Sequence, residues 1–138
     1  MAASNECTPE LNLVVLHGHL SSEPRSRTLP SGDEVWTYEV TTRTGSGPAE
    51  SVAVVPGRAR PPRALAAGDE VLVVGRVRRR FFRAGGGTAS RTEVVADRIT
   101  SGARRSSVAA GLDRSHRVLA EHVAALGAVS SPGGDRLR

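Results

Sequence analysis

The chain has 138 residues and a formal net charge of +5, with 38% hydrophobic, 24% charged and only 3% aromatic residues, which is one small domain plus a short extension. All 19 basic residues are arginine, excluding P-loop, Schiff-base and pyridoxal-phosphate lysines, and the single cysteine, Cys7, excludes an internal disulfide and multi-cysteine zinc sites. Residues 1–10 lack a leader pattern and no apolar run exceeds four residues, so neither a signal peptide nor a membrane span is expected and the expected compartment is the cytoplasm.

In chain order, residues 1–10 read as a flexible start. Residues 11–20 (LNLVVLHGHL) form the first strand, apolar on both faces, with Gly18 marking a bulge or sharp bend. Residues 21–33 form a loop carrying Pro24 and the turn signal Pro30-Ser31-Gly32-Asp33. Residues 34–44 (EVWTYEVTTRT) form the second strand, with Trp36, Tyr38 and Val40 on one face as core. Gly45-Ser46-Gly47-Pro48 turns the chain into a third strand over 50–55. The proline-rich residues 56–68 interrupt the sheet and hold at most a helical turn or two near 63–67. Residues 69–82 (DEVLVVGRVRRRFF) form the fourth strand, Gly85-Gly86-Gly87 a hairpin tip and residues 90–99 the fifth strand. Five short strands over about 90 residues imply an all-β barrel. Residues 100–107 read as a linker. Val108, Leu112, Leu119, Val123 and Leu126 then fall at helical spacing. They predict an amphipathic helix of roughly 18 residues, capped by Ser106 or Ser107 and ended by Gly127. Residues 128–138 read as a disordered tail.

The chemistry concentrates in residues 71–83. Strand alternation puts Arg76, Arg78, Arg80 and Phe82 on one face and Arg79 on the other. Same-face side chains stand about 7 Å apart, near the phosphate spacing of an extended single strand. Five arginines (76, 78, 79, 80 and 83) occur in eight residues without an acid, so the row is expected to be self-repelling until a polyanion lies across it. Phe82 offers a ring for base stacking, and Arg83 and Arg91 extend the patch beside the glycine tip.

Other candidates carry less. His17 and His19 share a strand face but lack a third ligand, so a structural role is preferred to metal binding. Asp113, Ser115 and His116 are triad residue types without triad geometry. Arg25, Arg27 and Arg43 flank loops, either as phosphate contacts or as plain surface.

Several stretches, in order, resemble the bacterial single-stranded DNA-binding protein family, over roughly two-thirds of the chain. Residues 12–20 (NLVVLHGHL) resemble its opening strand, and Pro24 to Arg27 with Leu29-Pro30-Ser31-Gly32 its P-x-x-R…PSG loop. Residues 35–42 resemble its second strand. Gly68-Asp69-Glu70-Val71 and Val73-Val74-Gly75-Arg76-Val77-Arg78 resemble its G-D-x-V-x-V-x-G-x-L segment, and residues 91–97 its closing strand. The resemblance implies a five-stranded OB-fold barrel over residues 11–102, followed by a linker and amphipathic helix over 103–127 and the tail. It implies sequence-nonspecific binding of single-stranded DNA in replication or repair, near the nucleoid, by a homo-oligomer, a tetramer or a dimer. No catalysis, cofactor, metal, membrane or small-molecule substrate is expected. The site residues are Arg76, Arg78, Arg79, Arg80, Phe82, Arg83 and Arg91.

The chain departs from the family in three places. Residues 44–55 lack the family's stacking aromatics, the insert is proline-rich where the family has a helix, and the end, Gly134-Asp135-Arg136-Leu137-Arg138, is not acidic. A divergent, actinobacterial-type member relying on arginine more than on stacking fits these departures. The alternatives are an RNA-binding or primosome-type OB protein, and an oligomeric protein-interaction module built on the helix.

Overall fold

The computed structural model describes residues 8–62 and 64–129. Six strands, β1 (Val14–Leu20), β2 (Arg25–Thr28), β3 (Glu34–Thr42), β4 (Glu50–Pro56), β5 (Glu70–Ala84) and β6 (Gly87–Ser101), precede one helix, α1 (Arg105–Val129). The strands are ordered β1-β5-β6-β4-β3-β2, and β1 also pairs with β3. That second pairing closes β1, β5, β6, β4 and β3 into a five-stranded barrel. β4 and β6 run parallel and the other pairs antiparallel, so the barrel is mixed. β2 stays outside the closure as an edge strand on β3.

Valine dominates the core because its branched Cβ suits a pleated, buried surface. Leu20, Tyr38, Val40, Val54, Val71, Val73, Val94, Ala96 and Ile99 fill the barrel. Burial pushes the Tyr38 phenol above its ordinary pKa. Gly18 stands where β1 turns from β5 to β3: residues 14–19 pair with β5, and His19 and Leu20 pair with β3. A Cβ there would run into the Thr41 carbonyl, so the bend expected at Gly18 is a close strand approach at the seam. A second irregularity lies at Val74/Gly75, where Val74 faces Arg98 and Gly75 faces Ala96. Asp97 is therefore the extra residue of a bulge, and β6 switches faces there: Ile99 points inward on one side, Ala96 and Val94 on the other.

Three expectations need correction, and the stretch limited to at most a helical turn or two is found without one. The loop expected over 21–33 contains β2, whose RSRT sequence is exposed throughout and shows no apolar alternation to read. Pro56 closes β4 opposite Ala96, which a strand end tolerates because no ladder N–H is needed there. No helical turn forms among the described residues 64–67, where Ala64 takes a left-handed backbone (φ 60°). The helix is longer than predicted: it starts at Arg105, before both proposed serine caps, and runs through Gly127 to Val129. Of the tail, Ala128 and Val129 are helical and residues 130–138 lie outside the described residues; so do residues 1–7 and Cys7.

The start of α1 packs on the outer face of β5. Val108, Gly111 and Ser115 are buried, and a Cβ on Gly111 would approach Leu72 Cδ2 to 2.7 Å. Gly111 thus costs helix propensity but lets the helix lie close to the sheet. Arg105 at a helix N-terminus opposes the macrodipole. Glu70 offsets this by accepting from Arg105 Nη1 at 3.0 Å, and it also meets His17 Nε2 at 2.5 Å. The His17 hydrogen bond first, then the Arg105 charge and hydrogen bond, hold the Glu70 carboxyl below its ordinary pKa. That contact is the structural role His17 was expected to have. No cluster of three or more metal-ligating side chains occurs among the described residues. Among them, no helix is long and apolar enough to cross a membrane.

Candidate nucleic-acid interface

β5 and β6 outrun the barrel. Their ladder extends from Val71↔Ser101 to Ala84↔Gly87, with Gly85 and Gly86 at positive φ forming the tip. Inside the barrel half, Val71 and Val73 point into the core, and Leu72 lies beneath α1. Outside it, Arg78 and Arg80 stand on the outer face, as period-two alternation required.

Opposite them rises the β2–β3 hairpin, whose turn is closed by Leu29 N–H to Asp33 C=O at 2.8 Å. Between the two hairpins lies an open cleft of about 760 Å³. β2 supplies Arg25 and Arg27, β5 supplies Arg78 and Arg80, and β6 supplies Arg91. Glu23, Glu39 and Glu93 are the acids of the lining, so it carries five arginines against three carboxylates. Ser26, Leu29, Val35, Thr37, Val55 and Pro56 are among its uncharged lining residues.

The cross-strand register corrects the expectation of an unneutralised row. Glu93 lies directly opposite Arg78, and its side chain is only 2% exposed. Its Oε2 accepts from Arg78 Nε at 3.2 Å, from Arg78 Nη2, and from Arg80 Nε at 3.3 Å. Arg76 leans towards Asp97 at 3.8 Å. The arginines are therefore not simply self-repelling, and the row alone does not require a polyanion. One carboxylate is nonetheless shared by two guanidiniums, which keep a net positive charge. Three N–H donors are spent on Glu93, out of five on each arginine. Glu93 thus fixes two cationic heads at the cleft wall, where Arg78 and Arg80 remain 43% and 34% exposed.

The remaining predicted residues are spread out. Arg91 faces Arg80 across the ladder and joins the cleft. Arg79, opposite Thr92, lies on the other face of the ribbon. Arg83 and Phe82 sit further along the arm, opposite Thr88 and Ala89. The Arg80 guanidinium lies over one face of Phe82, 5.1 Å from the ring centroid, and the ring is 36% exposed. Phe81 is the more exposed ring, at 65%. Arg25 and Arg27, left undecided on sequence, belong to the site; the readable signal was their alternation just before a hairpin turn. Trp36 is not core as expected, since it is 39% exposed near the end of the barrel.

A closed mixed barrel of five strands, with parallel closure between β4 and β6, defines an OB fold, and the cleft lies across its outer face. No protein-family model matches the sequence, and no curated protein matches it. Among solved structures the chain is similar to the Plasmodium falciparum SSB in complex with ssDNA, at 19% identity and a TM-score of 0.52. The similarity covers 67% of this chain and 96% of that one, so the two share a fold over the barrel.

Proposed function

We propose that the protein binds single-stranded DNA with little sequence preference, as a binding protein rather than an enzyme. The observation that carries this reading is the convergence of Arg25, Arg27, Arg78, Arg80 and Arg91, from three strands, on one open cleft. Two separate walls of guanidiniums match a flexible chain of phosphates, whereas a rigid duplex about 20 Å across does not enter a cleft this small. That the similar Plasmodium falciparum SSB is found with ssDNA supports the choice of ligand. Arg76 and Phe82 continue the path along the outer face of the β5–β6 arm, and Arg79 and Arg83, on its other face, meet only a strand that wraps around it.

The test is a fluorescence anisotropy titration with single- and double-stranded oligonucleotides at two salt concentrations. The expected result is preferential binding of the single strand, weakening with salt by about 0.7 log unit per phosphate contacted. Failure to bind oligo-dT at low salt contradicts the reading.

A further inference from the structure

We infer that the hollow between α1, the β5–β6 bulge and the chain leading into β1 binds a small amphiphilic acid, a carboxylate carried on a compact apolar body. The hollow measures about 310 Å³ and shares no lining residue with the arginine cleft. Leu11, Leu13, Val74 and Val118 give it an apolar lining, and Arg98 of β6 and Arg114 of α1 add two guanidiniums. Its size is at the lower end for small-ligand pockets, with room for about ten non-hydrogen atoms.

The walls are held in place by the protein itself. Asn12 carries the chain ahead of β1 along β5: its side chain accepts from the Val77 N–H at 2.9 Å and donates to the Val77 carbonyl at 2.8 Å. That pair of bonds fixes the segment bearing Leu11 and Leu13. On the helix side, the Ser115 hydroxyl is spent on the Gly111 carbonyl at 3.0 Å. The register beside the Asp97 bulge sets Arg98 opposite Val74. The Arg98 stem runs under α1, 3.5 Å from where a Cβ on Gly111 would lie.

Charge and shape select the ligand together. Arg76, Arg78, Arg80 and Arg105 each meet a carboxylate. Among the described residues, the side chains of Arg98 and Arg114 have neither an ion pair nor a hydrogen bond. Asp97 also lines the hollow, but its ion pair is with Arg76, at 3.8 Å. Arg98 is half-buried, where an unpaired guanidinium is costly and an anion relieves the cost. A bare inorganic anion or a chain of phosphates leaves the four aliphatic side chains uncovered. An acid with an apolar body covers them while its carboxylate meets the guanidiniums.

The full chain, labelled at its leucine and valine methyls, is titrated by nuclear magnetic resonance with octanoate and phenylpropionate, with octanol and phenylpropanol, and with acetate. Both acids should shift the Leu13, Val74 and Val118 methyls saturably, the alcohols should bind about tenfold more weakly, and acetate should shift nothing. Arg98→Gln and Arg114→Gln should each weaken the acids about tenfold and leave the alcohols unchanged. Arg117→Gln removes a charge from α1 outside the hollow and should change neither. An excess of dT20 should displace neither acid. Absence of saturable shifts with both acids, equal affinity for acids and alcohols, or acid binding undiminished in both glutamine variants overturns the site. Displacement by dT20 also overturns it, by giving the hollow to the nucleic acid. Failure of the protein to bind oligo-dT, read separately by anisotropy, removes the DNA reading and leaves this site standing.

Discussion

The two halves of β5 obey opposite rules within one strand. Val71, Leu72 and Val73 are fully buried, between the barrel core and α1. Arg76 to Ala84 leave the barrel, are open to solvent for the most part, and carry charge on both faces. The change falls at Gly75, opposite the β6 bulge. Upstream of it, side chains are selected for volume. Downstream, they are charged and exposed. A fold needs only the first half; in the proposed reading the second half is where the ligand is met.

Substitutions that break this contrast rank clearly. Leu72→Ala, in the buried half, is expected to lower stability by about 2–5 kcal/mol in chemical denaturation, because it opens a cavity beneath Gly111. Phe81→Ala, in the exposed half, should stay within about 0.5 kcal/mol; a comparable loss at both positions would erase the distinction. Glu93→Ala should cost about 1–3 kcal/mol, since charged hydrogen bonds from Arg78 and Arg80 lose their acceptor. Because a neutral side chain then replaces a carboxylate in the cleft, the same variant should bind oligo-dT with a steeper salt dependence, if the arginines stay in place. Ala64→Gly relieves a left-handed backbone and should raise the melting temperature slightly, worth about 0.5 kcal/mol after the entropy glycine adds to the unfolded chain.

The weakest effect is local and depends on pH. The Glu70 carboxyl is depressed in the folded protein. Its contribution is therefore complete above the ordinary carboxylate value of about 4.3 and is lost as pH falls through the lower folded value. Hydrogen exchange in the first turn of α1 should accelerate in that acid range in the wild type. In Glu70→Gln it should already be fast at neutral pH. Identical profiles for the two proteins would remove Glu70 from the helix anchor.

The barrel was largely legible because alternation is a local property. The succession of the five barrel strands follows from their β-prone runs and turn signals, and the inward set Tyr38, Val40, Val71 and Val73 and the outward row Arg76, Arg78 and Arg80 from period two. What was hidden depends on register. Asp97 adds one residue to β6, and the resulting pairing brings Glu93 beneath Arg78 and Arg80, which no spacing along the chain reveals. β2 escaped because an edge strand exposed on every residue has no hydrophobic pattern, although the turn after it was visible. Gly127 does not stop the helix, since glycine ends a helix only where the chain takes the left-handed turn that glycine favours. Trp36 alternates with core residues, yet β3 reaches past the barrel at that point, so the same face becomes a rim.

In the proposed reading, polyphosphate lies between the two arginine walls and not merely near a basic protein. Arg27→Ala/Arg78→Ala removes one charge from each wall; Arg104→Ala/Arg117→Ala removes the same charge from exposed positions at and just before α1. The decisive measurement is the salt dependence of oligo-dT binding for these two variants and the wild type. The cleft variant should flatten the slope by about 1.4, at roughly 0.7 per lost phosphate contact, while the helix variant keeps the wild-type slope. Equal flattening in both, or none in the cleft variant, would contradict the account.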